Sequence, residues 1–229
     1  MTGIIVLCRY NSSRLPGKIL KPIKGKEILS YILERLAVLE DKYPIVVCTS
    51  EEPTDDPIVQ FCKQQNINFF RGSLDNVAKR FLDCAVTNNF SNAVRINGDN
   101  LFLDAHVIER MIQKIESEEL NFLSNVKDRT FPKGMSVEIV NTRYYQKQYP
   151  NFSEDDLEHV MTFFYRTPLE KIDFVFNDTS VARDINLAID TSEDFEKAKK
   201  ILDIMDKPHV NYGFKEIIAL FDKIEDGKH

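Results

Sequence analysis

This chain has no long apolar segment, no paired cysteines, no glycine fingerprint and, at one end, no negative charge. None of its apolar runs approaches the ~20 residues a membrane span needs, and the N-terminus lacks the charged and apolar regions of a signal peptide. A soluble, cytoplasmic protein without a membrane partner is expected. Cys8, Cys48, Cys62 and Cys84 have no C-x-x-C spacing, which points to reduced, buried thiols rather than disulfides or a zinc site. His106, His209 and His229 lack ligand spacing. Neither a Walker A motif nor G-x-G-x-x-G occurs, disfavouring a P-loop ATPase or a dinucleotide-dependent dehydrogenase. No nucleophile elbow or matched histidine surrounds Ser13, leaving it as a loop hydrogen-bond donor. Repeats, low-complexity tracts and linkers are also missing, and the net charge of -6 argues against general nucleic-acid binding.

Against that acidic balance, the first 26 residues hold six Lys or Arg and no Asp or Glu. Most of this charge follows the apolar run Ile4-Ile5-Val6-Leu7-Cys8, which reads as a strand buried on both faces of a parallel sheet. Ligands of open α/β sheets sit beyond the carboxyl ends of such strands. Pro16-Gly17 suits a type II turn that would aim Arg14 and Lys18 at one point. Arg supplies a planar fork and Lys a compact charge, a combination able to hold a triphosphate and stabilise departing pyrophosphate. On spacing alone, a solvated basic loop is equally open.

Strand-like runs recur at Ile45 to Thr49, Asn68 to Phe70, Ala93 to Ile96, Phe122 to Asn125, Val137 to Val140, Phe174 to Phe176 and Ile185 to Ile189. Helical periodicity appears between them, as in Ile28, Leu29, Ile32, Leu33 and Leu36, and in Val77, Phe81, Leu82 and Ala85. Ser153 and Thr191, each followed by acidic residues, read as helix starts. The alternation predicts a single α/β domain over 1–229 with a Rossmann-like, mostly parallel sheet and helices on both faces. Residues 127–171 read as a small irregular lobe for an acceptor pocket and part of a subunit interface, consistent with a homodimer. Asp99 follows one strand run and Asp190 another. Each alone fits a turn or a helix cap; together they could hold Mg²⁺, which commonly takes one or two carboxylates with phosphate oxygens.

Arg9 to Leu20, R-Y-N-S-S-R-L-P-G-K-I-L, resembles the opening signature of the cytidylyltransferases that activate acidic sugars, in particular the 3-deoxy-manno-octulosonate enzymes. It is closer still to the spore coat polysaccharide biosynthesis protein F group. The likeness continues through Lys24-Gly25-Lys26, Asp55-Asp56-Pro57-Ile58-Val59, Arg71-Gly72-Ser73 and Asn97-Gly98-Asp99. It runs on through Arg129 to Gly134, Glu158-His159-Val160 and Asp190 to Phe195, covering nearly the whole chain in order. The resemblance implies a nucleotide-diphospho-sugar transferase fold and an Mg²⁺-dependent transfer of CMP from CTP to an acidic 3-deoxy or nonulosonic sugar, with release of pyrophosphate, for surface polysaccharide. It implies catalytic roles for Arg14 and Lys18 and metal binding by Asp99 and Asp190. Nucleotide contacts fall to Leu7, Cys8, Arg9, Asn11, Ser73, Asp75, Arg80, Asn97 and Gly98. Acceptor contacts fall to Arg129, Lys133, Glu138, Glu158 and His159, although a surface ion pair at Asp75 and Arg80 and an ordinary helix surface at Glu158 and His159 are equally open, and exposed loop charge is the simpler account of Arg129 and Lys133.

The chain departs from the family at Leu7-Cys8, where Gln-Ala or Pro-Ala is usual, at Asn97, often Thr or Gln, and at Ser136, often Asp. These bear on substrate more than on reaction. The alternatives are a nucleotidyltransferase for a neutral sugar phosphate or phosphonate, a nucleotide-sugar-dependent glycosyltransferase, and a noncatalytic relative.

Overall fold

The computed structural model describes residues 1–177 and 184–227. In chain order, β1 (Thr2–Leu7) leads through the basic loop to a small hairpin, β2 (Pro22–Ile23) and β3 (Lys26–Glu27), and then α1 (Ile28–Ala37). Next come β4 (Ile45–Ser50), α2 (Asp56–Gln64), β5 (Phe69–Gly72), α3 (Val77–Thr87), β6 (Asn92–Asn97) and α4 (Ala105–Ser117). The second half holds β7 (Phe122–Ser124), β8 (Glu138–Asn141), α5 (Thr142–Gln148), α6 (Glu154–His159) and α7 (Thr162–Arg166). β9 (Ile172–Phe174), α8 (Ser192–Asp203) and α9 (Phe214–Asp226) close it.

Seven strands form one sheet in the order β5-β4-β1-β6-β8-β7-β9. Every pairing is parallel except those of β8, which runs against both β6 and β7. Alternation along β1 divides the core. Ile4 and Val6 pack with α1, α2, α4, α8 and α9 on one face, while Ile5 and Leu7 meet α3, α5 and α7 on the other. Both faces of the central strands are therefore covered, and β1 is buried throughout. Among the described residues no helix is long and apolar enough to cross a membrane.

Local chemistry sets the helix starts. Ser153 and Thr191 each close a capping box with the acid three residues on, Asp156 and Asp194. Asn76 caps α3 by accepting from the Lys79 amide at 2.8 Å.

Two expected strands differ. The strand expected at Phe174 to Phe176 lies earlier, at Ile172–Phe174. The apolar stretch Ile185 to Ile189 makes no strand; one bridge joins Asn186 to Lys133. Its carbonyls and amides go to loops instead: Lys133 N–H donates to Ile185 O, Leu187 N–H to Lys133 O, and Ile189 N–H to Asp99 O. Ile185, Leu187, Ala188 and Ile189 are buried, but burial alone does not specify a sheet neighbour. Within the region read as a lobe, β8 enters the middle of the main sheet, and α5 to α7 pack beside α3.

Candidate active site

The basic loop leaves β1 at the carboxyl edge of the sheet, and its shape is fixed from within and below. Tyr10 O accepts from Gly17 N at 2.8 Å and from Ser12 N at 3.0 Å, closing the loop on itself. Lys18 N donates to Leu15 O at 3.2 Å, and Gly17 has φ 71° and ψ 6°. This is the expected type II turn, with glycine at the left-handed position. Below it, the buried Asp55 carboxylate accepts from the Tyr10 amide at 2.7 Å. Its other oxygen accepts from Thr49 Oγ1 at 2.8 Å, Ser50 N at 2.9 Å and Ser50 Oγ at 2.5 Å. Burial pushes the Asp55 carboxyl up, but the bonds from Ser50, Tyr10 and Thr49 reverse that and hold it below the ordinary value.

Lys18 is thereby aimed at two acids from distant parts of the chain. Its Nζ donates to Ile189 O at 2.7 Å and to Asp190 Oδ1 at 3.0 Å, and lies 3.5 Å from Asp99 Oδ2. Asp190 Oδ2 meets Arg14 Nη2 at 3.0 Å and Lys133 Nζ at 3.4 Å. Burial raises the Asp99 pKa, with Lys18 opposing and the nearby Asp190 charge adding to it. At Asp190 burial acts in the same direction, but Lys18, Arg14 and Lys133 outweigh it and lower the pKa. The two carboxylates share one ammonium, so one holds its charge easily and its neighbour less so.

Further contacts keep the acids in place. Asp194 accepts from the Asp190 amide at 3.1 Å and from the Thr191 amide at 2.9 Å, tying Asp190 to the start of α8. The backbone bond from Ile189 N to Asp99 O, 3.1 Å, joins the two acidic segments directly. Gly134 has φ 96°, and a Cβ there would collide with the backbone of Leu187 and Ala188, so glycine lets the Lys133 loop approach this segment.

A cleft of about 330 Å³ opens over these groups. It brings together Leu7, Cys8, Arg9, Arg14, Lys18 and Arg80 with Asn97, Gly98, Asp99, Glu158, His159 and Asp190. Arg80 is buried and donates to Ser73 O at 2.6 Å. A Cβ on Gly98 would stand 2.7 Å from that of Cys8, so the smallness of Gly98 lets the ends of β1 and β6 meet. Glu158 and His159 end α6, where Val160 takes φ 63° and ψ -51°. Met161 N there donates to His159 O at 2.6 Å, a tight γ-turn held by Tyr145 Oη on Val160 O at 2.8 Å.

Other expected site residues lie elsewhere. Asn11 is exposed on the loop, outside the cleft lining, and Arg129 is exposed at φ 46°. Ser73 and Asp75 line a separate groove with Glu51, Glu52 and Arg71. Lys133 reaches the site only through Asp190, and Glu138 is buried in an ion pair with Arg95. Two residues were missed. Asp55 was visible only inside Asp55-Asp56-Pro57, and Arg95, which lines the cleft, as a lone charge in an apolar strand.

Among the described residues, no group of three or more His, Cys, Asp or Glu is disposed to hold a metal. The pair Asp99 and Asp190 fits a hard divalent ion that takes its remaining ligands from phosphate and water, because each acid already faces the same cation.

Comparison with known proteins identifies the family. The family described as cytidylyltransferase matches residues 3–225. The spore coat polysaccharide biosynthesis protein SpsF of Bacillus subtilis is 28% identical over 97% of this chain and 94% of its own. A 3-deoxy-manno-octulosonate cytidylyltransferase of Christiangramia forsetii is 23% identical over 86% of this chain and 95% of its own. Among solved structures, a cytidylyltransferase from Leptospira borgpetersenii superposes with a TM-score of 0.91 at 29% identity, covering 98% of this chain and 95% of that one.

Proposed function

Since the chain belongs to the cytidylyltransferase family and is a CTP-dependent nucleotidyltransferase, we propose that it activates an acidic sugar, transferring CMP from CTP to a 3-deoxy or nonulosonic acid and releasing pyrophosphate. The observation that carries this reading is Lys18 held between Asp99 and Asp190 with Arg14 alongside, at the carboxyl edge of the sheet. Relatives named for the spore coat and for 3-deoxy-manno-octulosonate support the acidic acceptor and a role in surface polysaccharide.

In the reaction the acceptor hydroxyl oxygen bonds to the α-phosphorus and gives its proton to water, while the bond to the bridging α–β oxygen breaks and its electron pair leaves with pyrophosphate. Lys18 and Arg14 meet the charge that grows on the leaving group, Lys18 as a point charge and Arg14 as a fork. Both cations face Asp190 in the free protein and exchange that carboxylate for phosphate oxygens when the triphosphate enters. Asp99 and Asp190 would hold Mg²⁺, which when bound supplies further neutralisation of the triphosphate and acidity to the acceptor hydroxyl. Leu7, Cys8 and Arg9, together with Asn97 and Gly98, line the cleft where the nucleotide would rest. A homodimer drawing on the cytoplasmic CTP pool completes the reading.

Pyrophosphate release tests it, with each of the four nucleoside triphosphates, with and without Mg²⁺, against acidic sugars and neutral sugar phosphates. Release confined to CTP, Mg²⁺ and an acidic sugar is expected. Release only with a sugar phosphate, or turnover of a preformed nucleotide sugar without pyrophosphate, would replace the proposal.

A further inference from the structure

β6 lies inside the sheet, and Ala93, Val94 and Ile96 on it are fully buried. Arg95 interrupts this strand with a charge. Its side chain is 19% exposed, and the residue lines the cleft. Directly opposite on β8 stands Glu138, which pairs with Arg95 Nη1. Glu138 Oε1 in turn accepts from Tyr165 Oη at 2.5 Å, and Tyr165 Oη lies 2.6 Å from Ser124 Oγ. The carboxylate is thus engaged from both sides and fixes the guanidinium's orientation.

The rest of that guanidinium is unspent. Among the described residues Nε is buried without a partner, and none of them forms a hydrogen bond or ion pair with Nη2. An arginine offers five donors, and leaving them unmade in a protein interior costs free energy. A buried ion pair is seldom better for stability than apolar residues of similar size, so fold stability alone gives a weak reason for this arginine. Of the other cleft cations, Arg14 and Lys18 face Asp190, Arg80 donates from Nη1 to Ser73 O while its Nε too has no partner among the described residues, and Arg9 is exposed on the loop.

Side chains two apart on a strand share a face, so Arg95 stands beside Asn97, their α-carbons ~7 Å apart. Asp99 and Lys18 lie just past that strand end. In a 2-keto acid sugar the carboxylate is attached to the carbon that bears the reacting hydroxyl. Bringing this hydroxyl to the α-phosphorus forces the carboxylate toward the triphosphate, and like charges repel. A cation one or two residues back from the phosphate end would offset that repulsion.

We propose that Arg95 receives the acceptor sugar's carboxylate through the unpaired Nη2 donors of its guanidinium, with Glu138 and Tyr165 bracing it from behind. This assignment rests on the acidic-sugar reading above. It moves acceptor recognition from the exposed Arg129 to a residue inside the sheet.

The test compares wild type, Arg95→Met and Arg95→Lys by steady-state pyrophosphate release. The acceptors are 3-deoxy-manno-octulosonate, N-acetylneuraminate and the carboxamide of each, and calorimetry measures CTP binding. For the acid that wild type uses, Arg95→Met should raise the acceptor KM about ten- to a hundredfold, with CTP affinity and kcat changed little. Its preference for acid over carboxamide should collapse, and Arg95→Lys should fall between. An arginine that only supports the sheet would weaken CTP binding and thermal stability while leaving acid-over-amide preference intact. If Arg95→Met does not fold, Arg95→Lys decides, with a severalfold rise in acceptor KM expected. Wild-type turnover of an acid with unchanged acceptor KM in the folded variants overturns the Arg95 assignment alone. Absence of wild-type turnover with either acid overturns the acidic-sugar reading and this assignment with it.

Discussion

Replacing Asp55 by Asn should unhook the basic loop while leaving its sequence untouched. Asp55 accepts four hydrogen bonds, one from Tyr10 N on Oδ1 and three from Thr49 and Ser50 on Oδ2. An amide has a single acceptor oxygen. The Ser50 N–H cannot rotate away, so that oxygen goes to the Thr49 and Ser50 side, and the new NH₂ faces the Tyr10 N–H. One charge-assisted bond becomes a donor facing a donor, and the other three lose the carboxylate charge. At about 1.5–3 kcal/mol for a hydrogen bond to a charged group, the loss should be about 3 kcal/mol. With a urea slope of ~3 kcal/mol/M, the unfolding midpoint should fall by about 1 M. Loosening the tether frees Arg14 and Lys18, so kcat/KM for CTP should drop at least about tenfold. The pH dependence has a definite sign. The folded Asp55 pKa is below the unfolded value, so its stabilisation is full above the unfolded carboxylate pKa of ~3.9 and disappears as pH falls through the folded value. The gap between wild type and variant should therefore narrow in acid. A variant with wild-type midpoint and wild-type kcat/KM at neutral pH would refute the tether.

Asp99→Asn and Asp190→Asn should each lower turnover by at least about a hundredfold, ~2.7 kcal/mol of transition-state stabilisation, at saturating Mg²⁺; near-normal turnover in either would make that carboxylate structural. Lys18→Ala should reduce kcat more than it raises the CTP KM, because the charge it meets grows as the bond breaks; a pure KM effect in steady-state assays would reduce this lysine to nucleotide recruitment. Gly134→Ala must accommodate φ 96° and a collision with the Leu187–Ala188 backbone. It should cost about 2–4 kcal/mol in urea unfolding and impair turnover, and an unaffected variant would refute the close approach.

Periodicity carried most of the fold into view. The apolar run at β1, the helical faces of α1 and α3 and the capped starts at Ser153 and Thr191 are local patterns, and each formed where its residues predict. The antiparallel course of β8 was hidden, because strand direction is set by connections rather than by composition. Ile185 to Ile189 showed the opposite difficulty: an apolar run with a strand's composition found loops for neighbours. At the site, Arg14, Lys18 and Asp99 were legible because charge gathers past strand ends, and Asp190 because it follows an apolar run, although that run makes no strand. Asp55 was obscure because the loop amide it holds, that of Tyr10, is 45 residues away in the chain, and Arg95 because its partner Glu138 is set by the register of another strand.

Lys18 and Asp190 are separated by 172 positions in the chain. At synthesis rates of about 5–20 residues per second, the lysine waits on the order of 10–30 s for its carboxylate to be made. A nascent chain lacking the segment after β9 would own the basic loop and Asp99 but not the carboxylate that Lys18 and Arg14 share. On the reading proposed above, premature termination should therefore yield inert fragments rather than enzymes that consume CTP without control.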